Sequence, residues 1–210
     1  MNKLIVSSSP HIKSKDTTQR IMLDVIIALL PASVAAVVLF GLKAFVLIAV
    51  SVATAVISEF LFNLITKKKQ TVGDLSAVVT GLLLALTLPA KTGIFECIVG
   101  SLFAIVVVKC LFGGIGCNFA NPAITARVFL LLSFASVGGG SHTVFQDVEL
   151  VGGATPLELV GTEATANLPS ILNMLIGNRM GAIGETCAIA LIIGLVYLLV
   201  RKVISWHVPA

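Results

Sequence analysis

Twenty consecutive residues, Ile21 to Phe40, contain one charged side chain, Asp24, and otherwise read as Leu, Ile, Val, Ala, Met and Phe with a single proline and a single serine. That is the length of a helix crossing the hydrocarbon core of a bilayer, about 20 residues. The pattern recurs over Ala44–Ile65, Leu75–Pro89, Ile94–Phe112, Pro122–Phe134 and Ile183–Val200. The runs are unbroken rather than alternating, which predicts helices and not barrel strands. Only 11% of the 210 residues are charged and 57% are hydrophobic, and mean hydropathy is +1.07. A soluble domain carries roughly 25% charge. The expected fold is all-α, a polytopic transmembrane bundle of about six spans.

The organisation follows from these runs. Residues 1–20 form a polar, basic N-terminal segment without the apolar stretch of a cleavable signal. Residues 21–134 hold the first five helices, 135–180 a polar region, and 181–210 the sixth helix and the end of the chain. The third and fifth runs fall short of a full span. Short hydrophobic segments interrupted by Gly or Pro line sites near the membrane midplane in many transporters, although straight helices with snorkelling ends fit as well. The closing RKVISWHVPA reads as the start of a connection, so a fragment or truncated product is expected.

The net charge of +4 speaks to topology rather than to nucleic acid. With a cytoplasmic N-terminus, Lys3, Lys13, Lys15, Arg20, Lys67, Lys68, Lys69, Lys109, Arg127, Arg201 and Lys202 fall inside. Lys43, Lys91 and Arg179 fall outside. Eleven cations against three is the asymmetry of a multi-pass protein of the cytoplasmic (inner) membrane. It places residues 135–180 on the outer face.

Four stretches are candidates for chemistry. In GGATPLELV, Gly152 and Gly153 permit close approach of a ligand, Ala154 adds no bulk, and Pro156 biases Thr155 toward an extended backbone. The result is an accessible hydroxyl on a loop, or a plain surface turn. In GGIGCNFANPA, Asn118 and Asn121 lie between a glycine turn and Pro122, which can open a helix. A polar ligand fits there, and so does a helix–turn–helix with Asn caps. Asp24, within the first span, is the candidate for an ion or proton path, while Glu59 and Glu185 read as interfacial charges. Cys97, Cys110, Cys117 and Cys187 form no CxxC pair and read as small apolar residues. His11, His142 and His207 are far apart in sequence, with no metal-ligand spacing, and no nucleotide loop or nucleophile elbow appears.

These motifs carry a resemblance. SSSPHIKSK, VVTGLLLALTLPA, VVVKCLFGGIGCNFANPAITARVFLLLSF, GGATPLELV and GNRMGAIGETCA stand in the order and spacing of the D subunits of Rnf-type ion-translocating ferredoxin:NAD oxidoreductase (electron-transport) complexes. That family includes the B subunit of Na⁺-translocating NADH:quinone reductase. The resemblance implies covalent FMN, attached through a phosphoester to Thr155 by a separate flavin transferase, with the Gly152 and Gly153 amides beside the phosphate. It implies an electron relay coupled to Na⁺ or H⁺ movement, other membrane and peripheral subunits as partners, membrane lipid around the bundle and no nucleic acid. A non-covalent riboflavin is a second implied cofactor, with Asn118 and Asn121 as its nearest candidates. It also implies that the chain is the first part of a larger inverted-repeat bundle. Gly152 stands where the family usually has Ser or Thr, and Glu149 where Asp is commoner. The competing reading is an ion-conducting or scaffold subunit of such a complex without flavin.

Overall fold

In the computed structural model, residues 17–134, 137, 170–179 and 181–207 are described. Among the described residues every extended element is a helix, as expected. The elements are α1 (Thr18–Phe40), α2 (Leu42–Ile65), α3 (Ser76–Thr87), α4 (Ile94–Leu102), α5 (Pro122–Ser133), α6 (Ile171–Ile176) and α7 (Ala188–Val200). A short 3₁₀ turn, Val72–Asp74, precedes α3, and α4 continues without a break as a π-helix over Phe103–Cys110.

Only α1 and α2 have the length and apolarity to cross a membrane unaided, whereas α3, α5 and α7 are shorter apolar helices. The 12 residues of α3 reach about 18 Å, well under a hydrocarbon core of about 30 Å. Nine of its residues are buried, so it is a half-length helix held inside the bundle. The six anticipated helices are all present, but two of them are full spans.

Small residues let the helices approach closely. Thr17 opens α1, its Oγ1 accepting from the Arg20 amide at 3.3 Å. The buried stripe of α1 is Asp24, Ala28, Ala32 and Ala36. Gly41 then reverses the chain into α2 in one residue, with φ at 69°. Gly194 of α7 lies so close to α1 that an added Cβ would stand 2.3 Å from the Ala28 carbonyl oxygen. Gly194→Ala must therefore push the two helices apart. A loss of roughly 1–3 kcal/mol is expected, read as a lower thermal midpoint, and an unchanged midpoint would contradict this packing.

The contacts also fix direction. Cys97 donates to the Leu47 carbonyl at 3.6 Å, Ser51 pairs with Ser101 at 3.0 Å, and Lys109 meets Glu59 at 2.8 Å. Each pair is 50 residues apart, so α2 and the α4–π helix run parallel in register. Between them α3 runs the opposite way, with Ser51 Oγ donating to the Gly81 carbonyl at 2.7 Å. Leu130 of α5 fills the notch over Gly100, and Phe129 stacks on Phe103 with ring centres 4.2 Å apart. One end of the bundle thus gathers Arg20, Lys67, Lys68, Lys69, Arg201 and Lys202, and the other Lys43, Lys91 and Arg179. Among the described cations this grouping matches the charge count except at Arg127; Lys3, Lys13 and Lys15 lie outside the described residues.

Three readings need correction. Arg127, grouped above with the many cations, lies inside α5 and donates to the Val137 carbonyl at 3.3 Å. Its guanidinium leans toward the end with few cations. The sixth helix starts at Ala188, not Ile183. Instead, Ile183 and Gly184 donate their amides to the Leu88 and Leu86 carbonyls at 3.0 and 2.7 Å. They thereby satisfy the acceptors exposed where α3 ends. Residues 135–180 read as a polar, non-helical region, yet α6 forms within them, with Ser170 Oγ accepting from the Asn173 amide.

The outside of the bundle is apolar. Val34, Val38, Phe45, Ile57, Phe95 and Ile192 are all exposed, while the interior holds Ser51, Glu59, Asn63, Ser101 and Lys109. A water-soluble protein inverts that arrangement.

Candidate functional site

The most buried charges sit near the cation-rich end, between α2, α3 and the π-helix. Glu59 is 1% exposed and Lys109 is 2% exposed, and their ion pair is 2.8 Å long. Lys109 also donates to Ser76 Oγ. Ser76 in turn donates to Asp74 Oδ1 at 2.6 Å, and its amide donates to the same oxygen at 2.9 Å. On the other side Thr71 Oγ1 donates to Glu59 Oε1 at 2.7 Å, and Asn63 Nδ2 donates to Thr71 Oγ1 at 3.0 Å. A continuous polar chain, Asn63–Thr71–Glu59–Lys109–Ser76–Asp74, therefore crosses this end of the bundle.

One atom of the chain is left over. Glu59 Oε2 is buried and has no hydrogen-bond partner. Glu59 lines a cavity of about 70 Å³ together with Asn63, Lys68, Lys69, Thr71, Cys110, Gly113 and Gly114. That volume holds about two waters. An ionised group inside a membrane bundle is costly and marks ion or proton pathways, and a carboxylate that lines a small cavity can receive a proton or a small cation. The π-helix is what delivers Lys109 here. Such segments are rare and concentrate at functional sites. The helix ends where Gly113, Gly114 and Gly116 take φ of 107°, 93° and 83°, a conformation that favours glycine.

Glu59 is thus not the interfacial charge expected from sequence. Glu185 is exposed, and its Oε1 accepts from the Ala182 amide at 2.9 Å.

Asp24 lies in a second cluster, between α1 and α7. Tyr197 donates to its Oδ1 at 3.0 Å, and Arg201 approaches both oxygens at 3.2 Å. The group clasps α7 to α1. Asp24→Asn removes the charge partner of Arg201, which is itself 38% exposed, so a loss of only ~0.5–1.5 kcal/mol is expected. A fall in ion uptake per electron at an unchanged thermal midpoint would instead make Asp24 part of the ion path.

Of the two asparagines, Asn121 caps α5, its Oδ1 accepting from the Ala123 and Ile124 amides at 3.0 and 3.5 Å. Asn118 Oδ1 is buried with no partner, so it retains an acceptor for a ligand donor. Gly152, Gly153, Ala154, Thr155 and Pro156 lie outside the described residues. Cys97 and Cys110 are buried free thiols, Cys187 is half-buried and Cys117 is exposed.

An apolar exterior around a buried Lys–Glu pair defines a polytopic helical membrane protein. The particular kind is settled by comparison with known proteins: the chain belongs to the NQR2, RnfD, RnfE family, whose model matches residues 5–210. It is 46% identical over 209 residues to the D subunit of the Na(+)-translocating ferredoxin:NAD(+) oxidoreductase complex of Acetobacterium woodii, covering 98% of this chain and 65% of that protein. It is 34% identical to the D subunit of the proton-translocating ferredoxin:NAD(+) oxidoreductase complex of Clostridium ljungdahlii, covering 99% of this chain and 66% of that one. It is also 34% identical to the D subunit of the ion-translocating oxidoreductase complex of Alcanivorax borkumensis, over 99% of this chain and 67% of that protein. The chain therefore spans about two thirds of the length of these relatives.

Proposed function

We propose that this chain is the membrane part of a D-type subunit in an ion-translocating ferredoxin:NAD oxidoreductase complex, and that it carries FMN on Thr155 as an electron relay. Family membership and the names of its relatives support the complex. The run GGATPLELV supports the attachment point. When bound, the flavin supplies one- and two-electron transfer. The chain's own part is to display the hydroxyl: Gly152 and Gly153 leave room and amides for a phosphate, Ala154 adds no bulk, and Pro156 keeps Thr155 extended. Asn118, with its orphaned oxygen, fits a hydrogen-bond donor of a second, non-covalent flavin such as riboflavin. Asn121, committed to α5, does not.

In this reading the positive-inside asymmetry assigns the cation-rich end to the cytoplasm and Thr155 to the outer face of the cytoplasmic membrane. The partners are the other membrane and peripheral subunits, a flavin transferase during maturation, and lipid.

The coupling half of the reading rests on one observation, the buried Glu59–Lys109 pair, in which Glu59 lines a cavity and keeps one carboxylate oxygen without a hydrogen-bond partner. There Lys109 pairs with Glu59 inside the bundle, beside the cavity that would take up the moving proton or cation. The two relatives named for Na⁺ and for protons leave either ion open for this chain.

The test of the flavin half is peptide mass spectrometry of protein matured together with its flavin transferase. The peptide containing Thr155 is expected to be heavier by one FMN less water. A bare mass overturns the attachment and favours a subunit without flavin.

A further inference from the structure

A second cavity lies at the other end of the bundle. Its volume is about 380 Å³, and Leu42, Lys43, Val46, Leu47, Thr92, Gly93 and Ile94 line it. It is the groove between the first turns of α2 and α4, which run parallel and start at the same level. Its walls are mostly apolar, and around it Leu42 (76% exposed), Phe45, Ile94 and Phe95 face outward.

The polar features of the groove are few and share a sense. Lys43 stands at its edge. The first turn of α2 has no acidic residue and no capping side chain, because its N-cap is Gly41. The positive end of the α2 dipole is therefore left uncompensated by its own sequence. Glu96 is the acidic group nearby, and it is half-buried and caps its own helix, accepting from the Gly93 amide at 2.9 Å. Thr92 is 0% exposed, yet its Oγ1 has no hydrogen-bond partner. A buried hydroxyl without a partner costs free energy and points to a missing acceptor or donor. Thr92 is nonetheless one of the residues that line the groove, next to Gly93, where an added Cβ would meet nothing closer than the Glu96 carboxyl at 3.6 Å.

We propose that this groove binds a phospholipid with an anionic headgroup. The phosphate lies against Lys43 and the start of α2, within reach of the Thr92 hydroxyl. One acyl chain runs down the apolar groove between α2 and α4. The charge at the mouth and the bilayer-facing apolar rim argue for a lipid over a peptide. The volume falls within the range of small-molecule sites, about 300–1,000 Å³.

The experiment uses the assembled complex in its own membrane, with a photo-crosslinking benzoylphenylalanine at Leu42 and, as a control, at Val38 on the exposed face of α1. Adducts are identified by mass spectrometry. At position 42, anionic phospholipids are expected about fivefold over their share of the membrane lipid, the ratio one lysine near the surface provides. Lys43→Gln should return that ratio to the bulk value, and the Val38 control should show the bulk value throughout. Lipid adducts at position 42 in bulk proportion would overturn the proposal by showing an unselective lipid-facing surface. Peptide adducts in place of lipid would overturn it by showing that another part of the chain or a partner subunit fills the groove.

Discussion

Lys109→Met is expected to destabilise the bundle by about 3–5 kcal/mol, because it leaves the Glu59 carboxylate buried without a counter-charge. Lys109 is 2% exposed and Glu59 is 1% exposed, so bulk water screens the orphaned group little. Ser76 would lose a donor at the same time. The double variant Glu59→Gln, Lys109→Met should recover to within about 1 kcal/mol of the parent, since neutral groups of similar volume replace the pair. Heat-unfolding midpoints of the complex in detergent read both. Ion uptake in proteoliposomes then separates structure from function. If the pair handles the coupling ion, the double variant is stable and still moves no ions while electrons continue to flow. A double variant that folds and pumps at the parental rate would reduce the pair to a structural clamp and remove it from the ion path.

That pair shows where sequence reading reaches its limit. Lys109 sits between VVV and CLF, and a lone lysine in an apolar run needs a partner. Nothing local names the partner, which lies 50 residues away on a helix brought alongside in parallel register. The same limit explains residues 183–187: nothing in Ile-Gly-Glu-Thr-Cys says whether it starts a helix or pairs its amides with Leu86 and Leu88. Arg127 escapes a charge count because the direction of a long side chain is set by α5 and Val137. By contrast, the cap at Asn121 followed by Pro122, the reversal after Phe40 and the half-length of α3 were legible. Those depend on nearest-neighbour chemistry and on length alone. Asn118 and Asn121 look equivalent in sequence, and the capping bonds of Asn121 distinguish them.

Thr155→Val should abolish covalent flavin completely while leaving the bundle intact. Valine keeps the branched shape and the extended preference before Pro156 but has no oxygen to esterify. In-gel fluorescence of the denatured chain, co-expressed with the transferase, should fall to background, and the stability of the bundle should change by no more than about 0.5 kcal/mol. Thr155→Ser restores a hydroxyl and should recover part of the signal. The serine rescue is the decisive arm. A structural role for the threonine methyl would leave serine as defective as valine, whereas a role for the oxygen alone would make serine the better of the two. Electron transfer through the complex should track the fluorescence across the three proteins. A valine variant that keeps full ferredoxin-dependent NAD reduction would show that this hydroxyl is not on the electron path, and the subunit would then have to act by its ion-handling residues alone.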